Sequence, residues 1–298
     1  MTAFNLEGLN KKTDTSTFAF DPNACIEYAK ATNDDIAQHL SGELIPPIYC
    51  VVPVWEKVFE VVSNVVPEEH FFSVVHGEQD MRFYKPLLTS LVLNSSAEGI
   101  CVSVKDSGTT LVVKTQSHDE ETGDLVVEQY FTMFFRGVNG ENSYGTPHDI
   151  GIDVEHYNQL INGELPGEQV GRIESKMDDD QTFRYAHASG DFMPIHIDDD
   201  FAKSVGLPGI IIHGLCTMAV ASWGAIKQVA DGDPANLKRI AVRFAKPLRP
   251  GEVVESTFYE GNTQPYFESV NSYYFVSKRK PDDTVILANS LVEVKKSS

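Results

Sequence analysis

The chain has 298 residues, of which 42% are hydrophobic, and carries a formal net charge of −19. This length is enough for one large domain or two ordinary domains with sizeable cores. The excess of negative charge argues against nucleic acid and anionic membrane surfaces as partners, since both would repel the chain.

Short motifs narrow the class of protein further. The four cysteines lie apart without CxxC spacing, which predicts reduced thiols in the core of a cytoplasmic protein. The first residues do not resemble a signal peptide, and no apolar run reaches transmembrane length. Because the chain has no P-loop, dinucleotide fingerprint or metal-ligand spacing, we expect neither a cofactor nor a bound metal.

In chain order, residues 1–17 are polar and are predicted to form a loose arm, which precedes a predicted helix at 23–31. Alternating β-branched residues predict two sets of strands, each after a central helix. The first set is a helix at about 53–64 with strands near 74–84, 91–104, 109–117 and 125–137. The second set is a helix at 214–230 with strands near 238–246, 252–262, 266–278 and 284–295. Residues 138–168, rich in Gly, Asn and Pro, are predicted to form a linker.

An internal repeat relates the two halves. A shift of 157 residues places Tyr28 and Asp34 on Tyr185 and Asp191, and a shift of 161 places 85–87 on 246–248. Two near-equal offsets indicate two copies of one unit, at residues 1–145 and 146–298. A helix wrapped by an antiparallel sheet is an α+β layer fold, so each copy is predicted to have that architecture.

The second copy holds an acid–base pair. Asp191 and His196 are five residues apart, joined by a segment containing Gly190 and Pro194. Pro194 excludes a continuous helix, so the segment can turn both side chains toward one point. A histidine beside a fixed carboxylate can activate a water molecule, and both residues are therefore candidate catalytic residues.

A candidate oxyanion site follows at His213–Gly214, where the predicted apolar helix begins. The first N–H groups of a helix have no intrahelical partner and carry the positive end of its dipole. Gly214 leaves this end sterically open, so its N–H could polarise a carbonyl oxygen. His213 could be catalytic, but capping and packing of the helix start is the favoured role.

The run from Tyr185 to His196, followed by His-Gly-Leu-Cys at 213–216, resembles the MaoC-like hydratases, specifically the (R)-specific 2-enoyl-CoA hydratases called hydratase 2. Further similarity at 75–79, 84–87 and 244–251 extends the resemblance to the family's double hot-dog members. It implies two helix-wrapped antiparallel sheets joined into one continuous sheet. Met193 is a departure, because the family has Asn two residues after its catalytic Asp.

The resemblance implies a reversible hydration of trans-2-enoyl-CoA to (3R)-3-hydroxyacyl-CoA, with Asp191, His196 and Gly214 as catalytic residues. Four residues are expected at the substrate-binding site: Tyr28, Met193, His213 and Lys246. Tyr28 matches a functional family residue, although a packed core tyrosine is an equal alternative. Lys246 lies in a Lys-Pro turn that could meet CoA phosphates, with a solvated lysine as the alternative.

The two copies are not chemically equal. Asn33 and Ala37 replace Gly190 and Pro194, which is expected to relax the turn between Asp34 and His39. Pro53 replaces Gly214 and has no N–H to offer. The first copy is therefore predicted to be a non-catalytic half that supplies apolar walls to an acyl groove, leaving one active site per chain within residues 180–220.

Other functions stay open from the sequence. They are a dehydratase acting on carrier-protein-bound or ring-bearing acyl thioesters, a non-catalytic acyl-thioester binding protein, and a thioesterase. In each case the expected partner is an acyl-CoA or acyl-carrier thioester. The expected assembly is a homodimer with no nucleic-acid or membrane partner.

Overall fold

A computed structural model describes residues 4–138, 140–164 and 168–296. Contacts divide the chain into two compact units. The first unit comprises 1–19, 53–85 and 90–150, and the second comprises 20–52, 86–89 and 151–298. The boundary at residue 145 remains a prediction about the repeat, whereas by contact the segment 20–52 packs with the C-terminal half.

The first unit is a five-stranded antiparallel sheet with one long helix. Its strands are β1 (Ser16–Ala19), β2 (Val74–Phe83), β3 (Val92–Lys105), β4 (Gly108–Asp119) and β5 (Leu125–Arg136), in the spatial order β1-β3-β4-β5-β2. Helix α3 (Trp55–Val65) packs on β3 and β4. Its buried face consists of four valines spaced three or four residues apart, the pattern of an amphipathic helix: Val58, Val61, Val62 and Val65.

The second unit repeats this plan with a more deeply buried helix. Its strands are β6 (Gln169–Lys176), β7 (Leu237–Phe244), β8 (Val253–Glu260), β9 (Val270–Lys280) and β10 (Thr284–Lys295), in the order β7-β10-β9-β8-β6. Helix α8 (Gly214–Val229) packs on β6, β7, β8 and β10. Eleven of its sixteen residues are buried, so it is apolar on nearly every side.

Six shorter helices complete the second unit. They are α1 (Pro22–Ala31), α2 (Ala37–Leu40), α4 (Val154–Ile161), α5 (Gln181–Ser189), α6 (Pro194–Ile197) and α7 (Asp199–Ser204). None of the described helices is long and apolar enough to cross a membrane. All four cysteines are buried free thiols, as their spacing predicts.

Two predictions about irregular segments are wrong. The polar arm is not loose, because Phe4 and Leu9 are buried and β1 pairs with β3. The linker contains α4, whose Tyr157 is fully buried and donates a 2.9 Å hydrogen bond to the Phe275 carbonyl. In both segments, one or two buried apolar or aromatic side chains hold the backbone in place although the segment is polar on average.

Candidate active site

The turn between α5 and α6 places Asp191 and His196 together. Gly190 ends α5 with a φ of 78°, the left-handed conformation that glycine adopts without strain. No atom lies within 4 Å of a Cβ built on it, so backbone conformation rather than space favours glycine here. Pro194 then begins α6 at a position where a proline needs no N–H.

The Asp191 carboxylate is oriented by its own turn. Its Oδ1 accepts a 3.1 Å hydrogen bond from the Met193 N–H, and its backbone N–H donates to Ser189 Oγ at 3.2 Å. The side chain is only half-buried. One carboxylate oxygen is thus held by the backbone while the group stays accessible.

The His196 ring is buried and held in one tautomer. Its Nδ1 lies 2.8 Å from the Ile211 carbonyl oxygen, which can only accept, so Nδ1 carries the proton and Nε2 presents a lone pair. Burial lowers the pKa of His196, against the opposing effects of the Ile211 bond and the Asp191 charge. The imidazole is therefore neutral at pH 7, and its Nε2 lone pair can accept a proton.

His213 contacts both Asp191 and His196. Its ring stacks on the His196 ring with centroids 3.7 Å apart. Its Nε2 is 3.0 Å from the Asp191 carbonyl oxygen, and its Nδ1 is 3.2 Å from Thr182 Oγ1. Although His213 is the N-cap residue of α8, its side chain makes no capping hydrogen bond and is 1% exposed.

Asp191, His196 and His213 lie close enough together for Asp191 and His196 to share one water molecule. One donor atom from each of Asp191, His196 and His213 lies within 4.8 Å of the others. Two hydrogen bonds of about 2.8 Å meeting at a water oxygen span roughly 4.5 Å, which matches a carboxylate and an imidazole sharing one water. Both nitrogens of His213 already have partners, so His213 would have to give up one of these hydrogen bonds to bind a metal ion.

Helix α8 begins beside this pair at Gly214. Its first intrahelical bond is that of Thr217 N–H to the His213 carbonyl, so the N–H groups of 214–216 precede the helical ladder. A Cβ on Gly214 would lie 3.2 Å from two carbons of the Phe244 ring. The helix start is therefore fitted closely against β7, which explains why the smallest residue is present.

The other predicted site residues lie in different environments. Met193 is the N-cap residue of α6 and is 37% exposed, and its backbone N–H donates the hydrogen bond to Asp191. Lys246 is exposed. Tyr28 is 1% exposed, and its hydroxyl lies 3.1 Å from that of Tyr185.

Sequence reasoning missed Thr182 and the Ile211 carbonyl. Thr182 Oγ1 lies 2.9 Å from the His196 carbonyl oxygen, in addition to its contact with His213. The position of Thr182, three residues before Tyr185 on α5, is a signal that it faces the same side of the helix. The Ile211 carbonyl could not be predicted from the sequence, because every residue type has a backbone carbonyl.

Asp34 and His39, the acid and imidazole of the first copy of the repeat, also lie together. Both belong to the second compact unit, because the segment 20–52 packs there. His39 Nδ1 lies 2.7 Å from Asp34 Oδ2, and both side chains are buried. The expectation that Asn33 relaxes this turn is wrong. Asn33 keeps the left-handed conformation with a φ of 56°, and its side-chain amide donates to Gln181 at 3.0 Å.

Comparison with known proteins shows which family has this fold and site. Residues 162–277 match the MaoC like domain, and residues 39–137 match the MFE-2 hydratase 2 N-terminal domain. A MaoC-like dehydratase from Phytophthora capsici is similar over 98% of both chains, with a TM-score of 0.80 and 25% identity. The chain therefore belongs to the MaoC-like hydratase 2 family, and the double hot-dog fold is confirmed.

Two relatives are similar in sequence as well. A probable enoyl-CoA hydratase 2 of Dictyostelium discoideum is 26% identical over 83% of this chain and 79% of its own length. The peroxisomal enoyl-CoA hydratase 2 of Arabidopsis thaliana is 30% identical over 72% of this chain and 66% of its own length.

Proposed function

We propose that this protein catalyses the reversible hydration of trans-2-enoyl-CoA to (3R)-3-hydroxyacyl-CoA. The observation that supports this proposal most is that a carboxylate oxygen of Asp191 and a ring nitrogen of the neutral His196 lie within 4.8 Å of each other. The names of the Dictyostelium and Arabidopsis relatives support the same reaction.

In the proposed mechanism, the Asp191 carboxylate and His196 Nε2 accept the two hydrogens of one water molecule. Because the Ile211 carbonyl holds the Nδ1 proton, Nε2 is the nitrogen that receives a proton from the water. The hydroxyl forms a bond to C3 of the enoyl group as the C2–C3 π bond breaks. The proton that His196 Nε2 has taken up is then delivered to C2, so the imidazole returns to its neutral form and the elements of water are added with none left over.

The thioester oxygen needs stabilisation while negative charge builds up on it. We assign this to the Gly214 N–H, which precedes the helical ladder of α8. The α8 dipole favours negative charge at the same end.

Loss of the conjugated absorbance of crotonyl-CoA and longer enoyl-CoAs tests the proposal. Asp191→Asn and His196→Ala should each lower kcat by about 10²–10⁴-fold, the usual effect of losing a general base. Activity that survives intact in both variants would remove these residues from the mechanism.

Product analysis separates the other functions. A hydrated thioester supports the proposal, and free CoA as the main product would establish a thioesterase instead. Binding without turnover would indicate a non-catalytic thioester-binding protein. Assaying carrier-protein-bound and ring-bearing thioesters beside the CoA esters defines the acyl carrier.

We further propose that the protein works as a cytoplasmic homodimer. Its four free thiols support a reducing compartment, whereas the Arabidopsis relative is named as peroxisomal. A fluorescent fusion measures the compartment, and sedimentation velocity measures the assembly.

A further inference from the structure

His213 is closed off from solvent yet touches both proposed catalytic residues. It is 1% exposed, it stacks on His196, and its Nε2 meets the Asp191 carbonyl oxygen at 3.0 Å. A group this buried does not reach a substrate, so its contribution must act through its neighbours.

The hydrogen-bond partners fix its tautomer. Burial, with the nearby His196 second, lowers the pKa of His213 to about 3, so the ring is neutral at pH 7 and has a single N–H. The Asp191 carbonyl oxygen can only accept, so this proton is on Nε2. Nδ1 is then unprotonated and faces the Thr182 hydroxyl at 3.2 Å, whose single proton is shared between this nitrogen and the His196 carbonyl oxygen.

The same hydroxyl also contacts the other catalytic segment. Thr182 Oγ1 lies 2.9 Å from the His196 carbonyl oxygen. Through His213 and Thr182, the backbone of Asp191 is thus connected to the backbone of His196. Both connections are made by groups from α5 and from the start of α8, outside the turn itself.

We infer that His213 is a positioning residue, whose Nε2–H holds the Asp191 carbonyl and thereby aims the Asp191 carboxylate at the water shared with His196. The bonds inside the turn, Met193 N–H to Asp191 and Asp191 N–H to Ser189, are local to residues 189–193. The bond from His213 reaches outside the turn and connects it to the start of the buried helix α8. The inference rests on the proposed hydration.

The decisive variants are His213→Leu, which removes the donor, and His213→Gln, whose amide nitrogen has the same reach as Nε2. His213→Leu should lower kcat for crotonyl-CoA about 100-fold, because misplacement of a catalytic group by about 1 Å has an effect of this order. Its KM should stay within about threefold of the wild type. His213→Gln should recover at least tenfold of the lost kcat.

The matched control is His156→Leu, which removes a histidine of α4 and should leave kcat and KM unchanged. Thermal unfolding of each variant gives the folded fraction to which the rates are normalised. Unchanged kcat in His213→Leu, a rise in KM alone, or a Gln variant no better than Leu would each overturn the inference.

A second measurement does not depend on turnover. Long-range ¹⁵N–¹H correlation spectra of the histidine rings report the tautomer of His213 in the wild-type protein. The expected signature at pH 7 is a neutral ring protonated on Nε2, and a ring protonated on Nδ1 or on both nitrogens would refute the assigned hydrogen bond. If the wild type does not hydrate enoyl-CoA, the proposed function fails while the tautomer still decides the contact.

Discussion

Burial of histidine rings at the site determines how the protein responds to acid. The folded-state pKa of His213 is about 3, whereas an unfolded histidine titrates near 6.5. The unfolded chain therefore binds the proton more readily. The contribution of this residue to stability is complete above pH 6.5 and is lost progressively as the pH falls toward 3.

We expect this one ring to lower the free energy of unfolding by about 2 kcal/mol between pH 7.5 and pH 5. Urea denaturation of the wild type and His213→Gln over this range measures the effect. The wild type should lose this amount relative to the variant, which has no titrating group at this position. Parallel curves would show that His213 is not held neutral by burial.

Candidate catalytic residues could be predicted from the sequence where the type of side chain alone indicates the chemistry. Asp191 and His196 could be selected because a carboxylate, a histidine and a proline-bent connection are visible in the sequence. The tautomer of His196 was not predictable, because it depends on the Ile211 carbonyl, and every residue has a carbonyl. For His213 the sequence favoured capping and packing of the helix start, and its bond to Asp191 was not predictable because that partner is likewise a backbone atom.

At the scale of elements, the start of α8 sets the oxyanion site. An alanine at Gly214 would bring its Cβ to 3.2 Å from the Phe244 ring, so either the ring or the helix start must shift. We expect Gly214→Ala to lower kcat for crotonyl-CoA by roughly tenfold, less than full loss of an oxyanion donor, because the N–H is displaced but kept.

Gly224→Ala is the matched control on the same helix. Its Cβ would lie 2.8 Å from Ile173 Cγ2, a closer approach than at Gly214, about 15 Å along the helix from that residue. It should reduce the melting temperature while leaving kcat per folded molecule unchanged. Equal kcat in the two variants would mean that Gly214 matters for packing alone.

Helices α1 and α5 meet through equivalent residues of the repeat. Tyr28 and Tyr185 are related by the offset of 157, and their hydroxyls lie 3.1 Å apart. A residue that contacts its own equivalent marks a local twofold relation between the two helices. This contact gives Tyr28 a structural role in addition to the predicted one in substrate binding.

Tyr28→Phe distinguishes these roles. If the hydroxyl serves the helix contact, the variant should lose about 1 kcal/mol of stability, the typical net value of a hydrogen bond, with KM unchanged. Tyr185→Phe is the matched control, because it removes the same bond from the other side. A rise in KM for Tyr28→Phe that Tyr185→Phe does not share would place Tyr28 at the substrate.

Long, regular elements were predictable, and among the short ones the helix predicted at 23–31 is confirmed as α1 (Pro22–Ala31). The two central helices and eight strands follow from sustained periodicity, and the observed bounds of α8 and β10 differ from the predicted ones by at most one residue. Strand β6 and helix α4 were missed within or next to the predicted linker. Their few apolar residues are spread among Gly and polar residues, so the pattern is weak, and tertiary packing determines their structure.

At the scale of the whole molecule, the repeat placed two acid–imidazole pairs in one chain with different surroundings. In the second copy, Nδ1 of His196 binds the Ile211 carbonyl, and the Asp191 carboxylate stays half-buried. In the first copy, Nδ1 of His39 binds Asp34 directly, and the ring is 0% exposed. The repeat predicted both pairs, but burial and partner choice separate them, and neither is visible in the spacing.

The direct bond explains why the first copy should not catalyse hydration. At 2.7 Å, Asp34 Oδ2 and His39 Nδ1 leave no room for a water molecule between them, and Asp34 Oδ1 already accepts from the Ile36 N–H at 2.9 Å. His39 Nε2 is buried with no hydrogen-bond partner within the described ranges, so the ring has no route to a substrate. Asp34 and His39 therefore form a buried structural contact.

Asp34→Asn should therefore leave kcat for crotonyl-CoA within about twofold of the wild type per folded molecule, while Asp191→Asn nearly abolishes it. The Asp34 variant should instead lose about 1–3 kcal/mol of stability, because a buried hydrogen-bonded carboxylate is replaced by a weaker partner. Calorimetric titration of Asp191→Asn with an enoyl-CoA should give one bound ligand per chain. Two equivalent ligands per chain, or a large fall in kcat for a fully folded Asp34→Asn protein, would show that the first copy is a working site, because a pair that serves only packing can affect turnover only by unfolding the chain.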